Sequence, residues 1–234
     1  MPHPISRDSL VDALVERLRD DVLNAHYPPG SLLPPERDLA ASYGVTRTSL
    51  KHALVRLAQA GLVETKHGVG TEVLDYRRNG GPDLLPMLLA HALSERSSMD
   101  GHWMTEIFEV RCEIGALVAA RAAGSRTPEQ AEAMRQQLES VAAAEDADAA
   151  QLAECELHRL LAAASGNRVY GLLVNSLLNA YLQVRMLFLG PFADPALAAA
   201  RLEPLVTAVC AGNPEAAHKA AEAYLTETER LMLR

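Results

Sequence analysis

The chain has 234 residues, room for one large domain or two small ones. Apolar residues make up 49% and aromatics 4%, which supports a packed helical core and excludes a disordered chain. The net charge of -8 argues against a nucleic-acid-binding surface over the whole molecule, and no apolar run approaches the ~20 residues of a membrane span.

Met1 to Leu10 carry no apolar signal segment. Ser6 to Asn24 then reads as an amphipathic helix, with Leu10, Leu14, Leu18 and Val22 on one stripe beside Val11 and Val15. Tyr27-Pro28-Pro29-Gly30 stops it. A short helix over Pro35 to Ser42 ends at Gly44, and Thr46 caps a third over Arg47 to Ala60. Leu50, Ala53, Leu54, Leu57 and Ala58 form the apolar face of that third helix. Leu62 to Thr65 and Thr71 to Leu74 are strand-like and joined through Lys66-His67-Gly68-Val69-Gly70, a hairpin with a glycine tip. This order is that of a winged helix-turn-helix, assigned to residues 1–75. Residues 76–82, with Arg77-Arg78-Asn79-Gly80-Gly81-Pro82, read as a linker. Residues 83–234 read as an all-helical domain of about seven helices, 83–95, 103–123, 127–145, 147–165, 168–189, 195–211 and 214–233. Thr127-Pro128-Glu129-Gln130 is a capping box, and Asp194-Pro195 and Asn213-Pro214 are cap-then-proline starts. Cys112, Cys155 and Cys210 are widely spaced and form no disulfide or metal framework, which suits buried thiols in a reducing cytosol.

The acidic total hides a local excess of base. Residues 31–70 hold Arg37, Arg47, Lys51, Arg56 and Lys66 against Glu36, Asp38 and Glu64, a local balance of +2. Opposite the apolar face of the third helix lie Arg47, Thr48, Lys51, His52 and Arg56, concentrated at the end that enters a major groove in helix-turn-helix proteins. Arg47 has the fork that reads guanine, and Thr46, Thr48 and Ser49 are short hydroxyls suited to phosphate. Arg37 is placed to touch the backbone, and His67 and Gly68 form a tip narrow enough for a minor groove. Any one of these side chains alone would pass for solvated surface; the arrangement points to double-stranded DNA.

Pro28-Pro29-Gly30, Leu33-Pro34, Glu36-Arg37-Asp38-Leu39-Ala40, Gly44-Val45-Thr46-Arg47-Thr48, Leu57-Ala58, Gly61 and His67-Gly68 resemble the GntR family of bacterial regulators. Ala164-Ser165-Gly166-Asn167, Tyr170-Gly171-Leu172 and Asn175 extend the resemblance, toward its FadR subgroup, over nearly the whole chain. The resemblance implies a cytoplasmic homodimer on a pseudo-palindromic operator. It also implies Arg37 and Arg47 as the main DNA-contacting arginines, Thr46, Thr48 and Ser49 on phosphates, and His67 and Gly68 at the wing tip. Lys51 stands where arginine is usual and His52 where glutamate is common, which leaves the operator sequence open.

In the second half, Arg111 shares a helix face with Ile107, Ile114 and Val118, and Arg185 lies between Tyr181 and Phe188-Leu189. An arginine on an apolar stripe needs an anion or acceptors. A pocket for an anionic ligand, an internal ion pair with Glu106, Glu109, Glu113 or Glu154, and snorkelling to the surface all meet that need. Glu154 and His158 have the i, i+4 spacing of a metal chelate. The family resemblance places Arg111 at a ligand site. It also implies that such an i, i+4 pair takes a metal only with two further histidines, where this chain has Leu202 and Tyr224. The expectation is therefore no metal and no cofactor, with Arg111, Glu154, His158, Asn175, Tyr181, Arg185 and Tyr224 as effector-binding residues. The likeness to fatty-acid regulators implies a fatty acyl-CoA as the small anionic effector. The alternatives are a small carboxylate with a divalent metal, or a helical interaction module without ligand. No Walker A loop, GxSxG or HExxH is present, so an enzyme is not expected.

Overall fold

The computed structural model describes residues 7–94 and 102–233. Ser6 and residue 95, which the expected helices include, lie outside the described residues. The chain divides into two compact units, Met1–Gly101 and His102–Arg234.

In the first unit, α1 (Arg7–Leu23) buries Leu14, Val15, Leu18 and Val22, mainly against α3, while Leu10 stays exposed. Helix α2 (Glu36–Ser42) follows Pro35, and Gly44 makes the turn at φ +65°, a left-handed backbone that a side chain would strain. Thr46 caps α3 (Arg47–Gln59) by accepting from Ser49 N–H at 3.1 Å. Leu50, Ala53, Leu54 and Leu57 are buried, as the periodicity predicts.

Strands β1 (Val63–Lys66) and β2 (Gly70–Val73) pair antiparallel from Val63↔Val73 to Lys66↔Gly70. The residues after the first helix do more than stop it. Gly30 N–H donates to Val73 O and Leu33 N–H to Thr71 O, both at 2.8 Å, so this segment lies along the outer edge of β2.

Residues 76–82, expected as a linker, carry local structure. They hold α4 (Tyr76–Asn79) and enter a 3₁₀ turn at Pro82–Leu84. Asn79 O rests against Gly61, where a Cβ would stand 2.5 Å from that oxygen. Helix α5 (Leu85–Ala92), expected at the start of the C-terminal domain, is grouped with the first unit. It is bonded there through the fully buried His91, whose Nδ1 lies 2.8 Å from Asp20 Oδ1.

The second unit is helical: α6 (His102–Ser125), α7 (Pro128–Ala142), α8 (Ala147–Ala164), α9 (Arg168–Val184), α10 (Pro195–Ala211) and α11 (Pro214–Met232). Helix α6 packs along α11 and against α8 and α10, α7 lies against α8 and α10, and α9 sits mainly on α8. Alanines 116, 119, 122 and 123 of α6 are buried, and their small side chains let the neighbouring helices come close. The caps read from sequence form: Thr127 and Gln130 bond reciprocally, and Asp194 and Asn213 accept from Leu197 and Ala216 N–H. The expected helix 168–189 breaks at Val184 into a 3₁₀ turn, Arg185–Phe188. Buried Gln151 of α8 satisfies carbonyls of this turn: its Nε2 donates to those of Arg185 and Phe188 at 3.2 and 3.1 Å. No helix among the described residues is long and apolar enough to cross a membrane.

Candidate nucleic-acid interface and ligand cavity

The N-terminus of α3 carries Thr46, Arg47 and Thr48, all exposed, with Ser49 half-buried beside them. Thr46 and Ser49 hydroxyls lie 3.0 Å apart. The first turn of α3 has no acidic residue, so the cation of Arg47 sits at the positive end of the helix dipole. Among the described residues, Arg47 makes no ion pair or hydrogen bond. An unpaired cation there favours an anion brought from outside.

The other arginines and lysines of residues 31–70 are already paired. Arg37 Nε is 2.9 Å from Asp38 Oδ1, Lys51 Nζ is 3.8 Å from Glu36, and Arg56 pairs with Asp12 of α1. Lys66 bridges Glu64 at 3.2 Å and Glu72 at 2.8 Å. The basic stretch of the sequence is thus largely neutralised, with Arg47 left over. At the hairpin tip His67 and Gly68 are exposed, and a Cβ at Gly68 would meet nothing, although φ +75° requires glycine-like backbone.

In the second unit, Arg111 and Gly115 of α6, Glu154 and His158 of α8, Val174, Leu178 and Tyr181 of α9, and Leu225 of α11 line a cavity of about 60 Å³. The missing Cβ of Gly115 leaves room for Leu225, whose Cδ1 would stand 2.5 Å from it. Glu154 is fully buried, and three donors converge on its Oε1. They are His158 Nε2 at 2.8 Å, Tyr224 O–H at 2.9 Å and Arg111 Nη2 at 3.5 Å. Burial raises the carboxyl pKa, but His158, Arg111 and Tyr224 outweigh it and hold the group at about 2. Burial, then the Glu154 charge, push the phenols of Tyr181 and Tyr224 upward, so both stay protonated.

Arg111 has one ion-pair contact among the described residues, the 3.5 Å approach to Glu154, and no hydrogen bond. Its guanidinium is still able to receive an acceptor. Arg185 differs: it gives Asp148 two hydrogen bonds of 2.7 and 3.2 Å, gives Leu182 O another, and does not line the cavity. Asn175 is exposed and lines a separate surface recess with Arg159 and Arg168. The structure therefore brings together Arg111, Glu154, His158, Tyr181 and Tyr224, and not Arg185 or Asn175.

Gln151 is the member that sequence reasoning missed. It is buried and bonds the Tyr181 hydroxyl. Its signal was present: Gln151, Glu154 and His158 recur at i, i+3 and i+7 on the core face of α8, a polar stripe where apolar residues belong.

The donor set does not fit a divalent metal. Glu154 and His158 are bonded to each other, Leu202 is apolar, Tyr224 donates rather than ligates, and the Arg111 cation borders the same carboxylate. No group of three candidate ligands occurs among the described residues.

The family model for bacterial regulatory proteins of the gntR family matches residues 10–73, and that for the FCD domain matches residues 106–227. An uncharacterised HTH-type transcriptional regulator of Mycobacterium tuberculosis is 36% identical over 233 residues, 99% of this chain and 93% of its own. A fatty acid metabolism regulator protein of Pasteurella multocida is 35% identical over 174 residues, 74% of this chain and 68% of its own. Among solved structures, Lar, which controls the expression of the Listeria monocytogenes agr system, is similar in fold. The TM-score is 0.56 at 18% identity, over 96% of this chain and 97% of that one.

Proposed function

This chain belongs to the gntR family of bacterial regulatory proteins, carries an FCD domain and is a transcription regulator rather than an enzyme, and from that premise we propose how it works. It binds a pseudo-palindromic operator in the cytoplasm as a homodimer and is released by an anionic, partly apolar metabolite, a fatty acyl-CoA. Two half-sites are needed because one recognition helix reads too few base pairs for tight selective binding. Arg47 reads base edges, and Thr46, Thr48 and Ser49 hold phosphates. Arg37 and Lys51 exchange their carboxylate partners for DNA, and His67 and Gly68 reach the minor groove.

The observation that carries the effector reading is Arg111, a guanidinium with unspent hydrogen bonds at the edge of an apolar-walled cavity. The polar part of the metabolite meets Arg111, and its chain lies along Val174, Leu178 and Leu225. The Pasteurella relative's name supports a fatty acyl group as the source of that chain. At about 60 Å³ the cavity is far below the ~300–1,000 Å³ of a typical ligand pocket, so α9 must shift to admit the acyl chain. That displacement is the event that a ligand favouring the DNA-incompetent arrangement drives. By linkage, operator DNA weakens the ligand by the same factor.

The present cavity size favours a second reading, a small carboxylate, whose metal would have only Glu154 and His158 to hold it. Thermal shift with oleoyl-CoA, acetate and zinc, singly and combined, separates the two, because a ligand that binds only the folded state raises the melting temperature. Stabilisation by oleoyl-CoA alone supports the first reading, and stabilisation only by acetate with zinc replaces it with the second.

A further inference from the structure

Helix α1 holds three other elements of the first unit through aspartates. Asp12 pairs with Arg56 of α3. Asp21 accepts from the phenol of Tyr43, the residue that closes α2 and enters the turn before α3. Asp20 accepts from Nδ1 of His91 on α5 at 2.8 Å. Asp20 and Asp21 are neighbours, so the grip on α5 and the grip on the turn sit one residue apart on one rigid helix.

The α5 grip is buried and polar. His91 is 0% exposed, Asp20 4% and Arg19 7%, and Arg19 gives Asp20 hydrogen bonds of 3.0 and 2.7 Å. His91 Nε2 is buried with no hydrogen-bond partner among the described residues. An apolar side chain in place of His91 would leave the buried Asp20 carboxylate with Arg19 but without its bond to α5, so the histidine is what ties the two helices. A buried polar contact between two elements can fix one register between them. The element fixed here is the one from which the chain leaves toward α6: α5 ends at Ala92 and α6 begins at His102.

We propose that His91 is a positioning residue for operator binding: through Asp20 and Asp21 it ties α5 to the Tyr43 turn, so that a displacement of α5 reaches recognition helix α3. The device does not depend on which ligand the second unit takes.

The test uses the full chain and the duplex that it enriches from a random-sequence pool. His91→Leu removes the donor and keeps an apolar body, His91→Asn keeps a donor to Asp20, and Tyr43→Phe removes the second grip. His91 and Tyr43 are not bonded to each other, so unlinked effects would multiply. His91→Leu and Tyr43→Phe should each weaken duplex binding about tenfold, with the double variant no weaker than about tenfold and His91→Asn within about twofold of the parent. Duplex binding should also slow amide exchange in residues 85–92 of the parent, and not in Tyr43→Phe. Multiplying effects, unchanged affinity in His91→Leu, or α5 exchange indifferent to duplex in the parent would overturn the proposal. The exchange arm decides the matter if His91→Leu does not fold.

Discussion

Tyr224 donates a 2.9 Å hydrogen bond to Oε1 of Glu154, the oxygen that also takes His158 and faces Arg111. The carboxylate is the hub of the second unit's polar cluster and is charged though fully buried. Glu154→Gln keeps an acceptor but removes the charge that compensates Arg111. Held at about 2 against an ordinary 4.5, Glu154 stabilises the fold fully above its ordinary value, and the gain is lost as pH falls toward about 2. The variant should be less stable at pH 7 by on the order of 3 kcal/mol. The gap to the parent should narrow steadily below pH 4.5. Urea unfolding at a series of pH values checks this; a gap that stays constant into acid would show that the ion pair is not its source.

Arg47→Ala should lower affinity for the selected duplex by about 1–3 kcal/mol per half-site and leave random DNA less affected. Lys51→Ala should weaken both duplexes alike and flatten the salt dependence, as a phosphate contact does. Equilibrium binding at several salt concentrations, with selected and scrambled duplexes, separates the two roles. An unchanged selected-to-scrambled ratio in Arg47→Ala would mean that another element reads the bases.

Two glycines separate backbone strain from close packing. Gly44 has φ +65° and open space around its missing Cβ, so Gly44→Ala should cost about 1 kcal/mol. Gly61 has φ +75° and a Cβ position 2.5 Å from Asn79 O. Gly61→Ala should therefore cost about 3 kcal/mol, because the 76–80 segment has to move as well. Thermal unfolding gives the magnitudes. Equal losses in the two variants would show that this segment is not packed on Gly61.

The helices are legible because their signals are local: the stripe of α1 repeats about once per turn, and the Thr46 cap of α3 and the reciprocal Thr127–Gln130 cap each lie within one turn of sequence. The parts that were not legible depend on partners distant in sequence. Arg111 and Arg185 looked alike on their own helices, and what separates them is Asp148, which saturates Arg185 from α8. The basic excess around α3 was real in the count and mostly cancelled in space, partly by Asp12 of α1, outside the stretch counted. Residues 76–82 carried every linker signal, yet Gly61 admits the Asn79 carbonyl and the segment packs down. Glu154 and His158 share a helix face, as their i, i+4 spacing predicts, and their partner Tyr224 lies 70 residues from Glu154 on α11.

The most direct test of the central claim is release of the operator by the effector. Full-length protein bound to its selected duplex is titrated with oleoyl-CoA, in parallel with Arg111→Gln and Arg185→Gln. Oleoyl-CoA should weaken duplex binding of the parent by about 1–3 kcal/mol, leave Arg111→Gln largely unresponsive, and act on Arg185→Gln as on the parent. Release by acetate with zinc and none by oleoyl-CoA, or full oleoyl-CoA release in Arg111→Gln, would contradict the account.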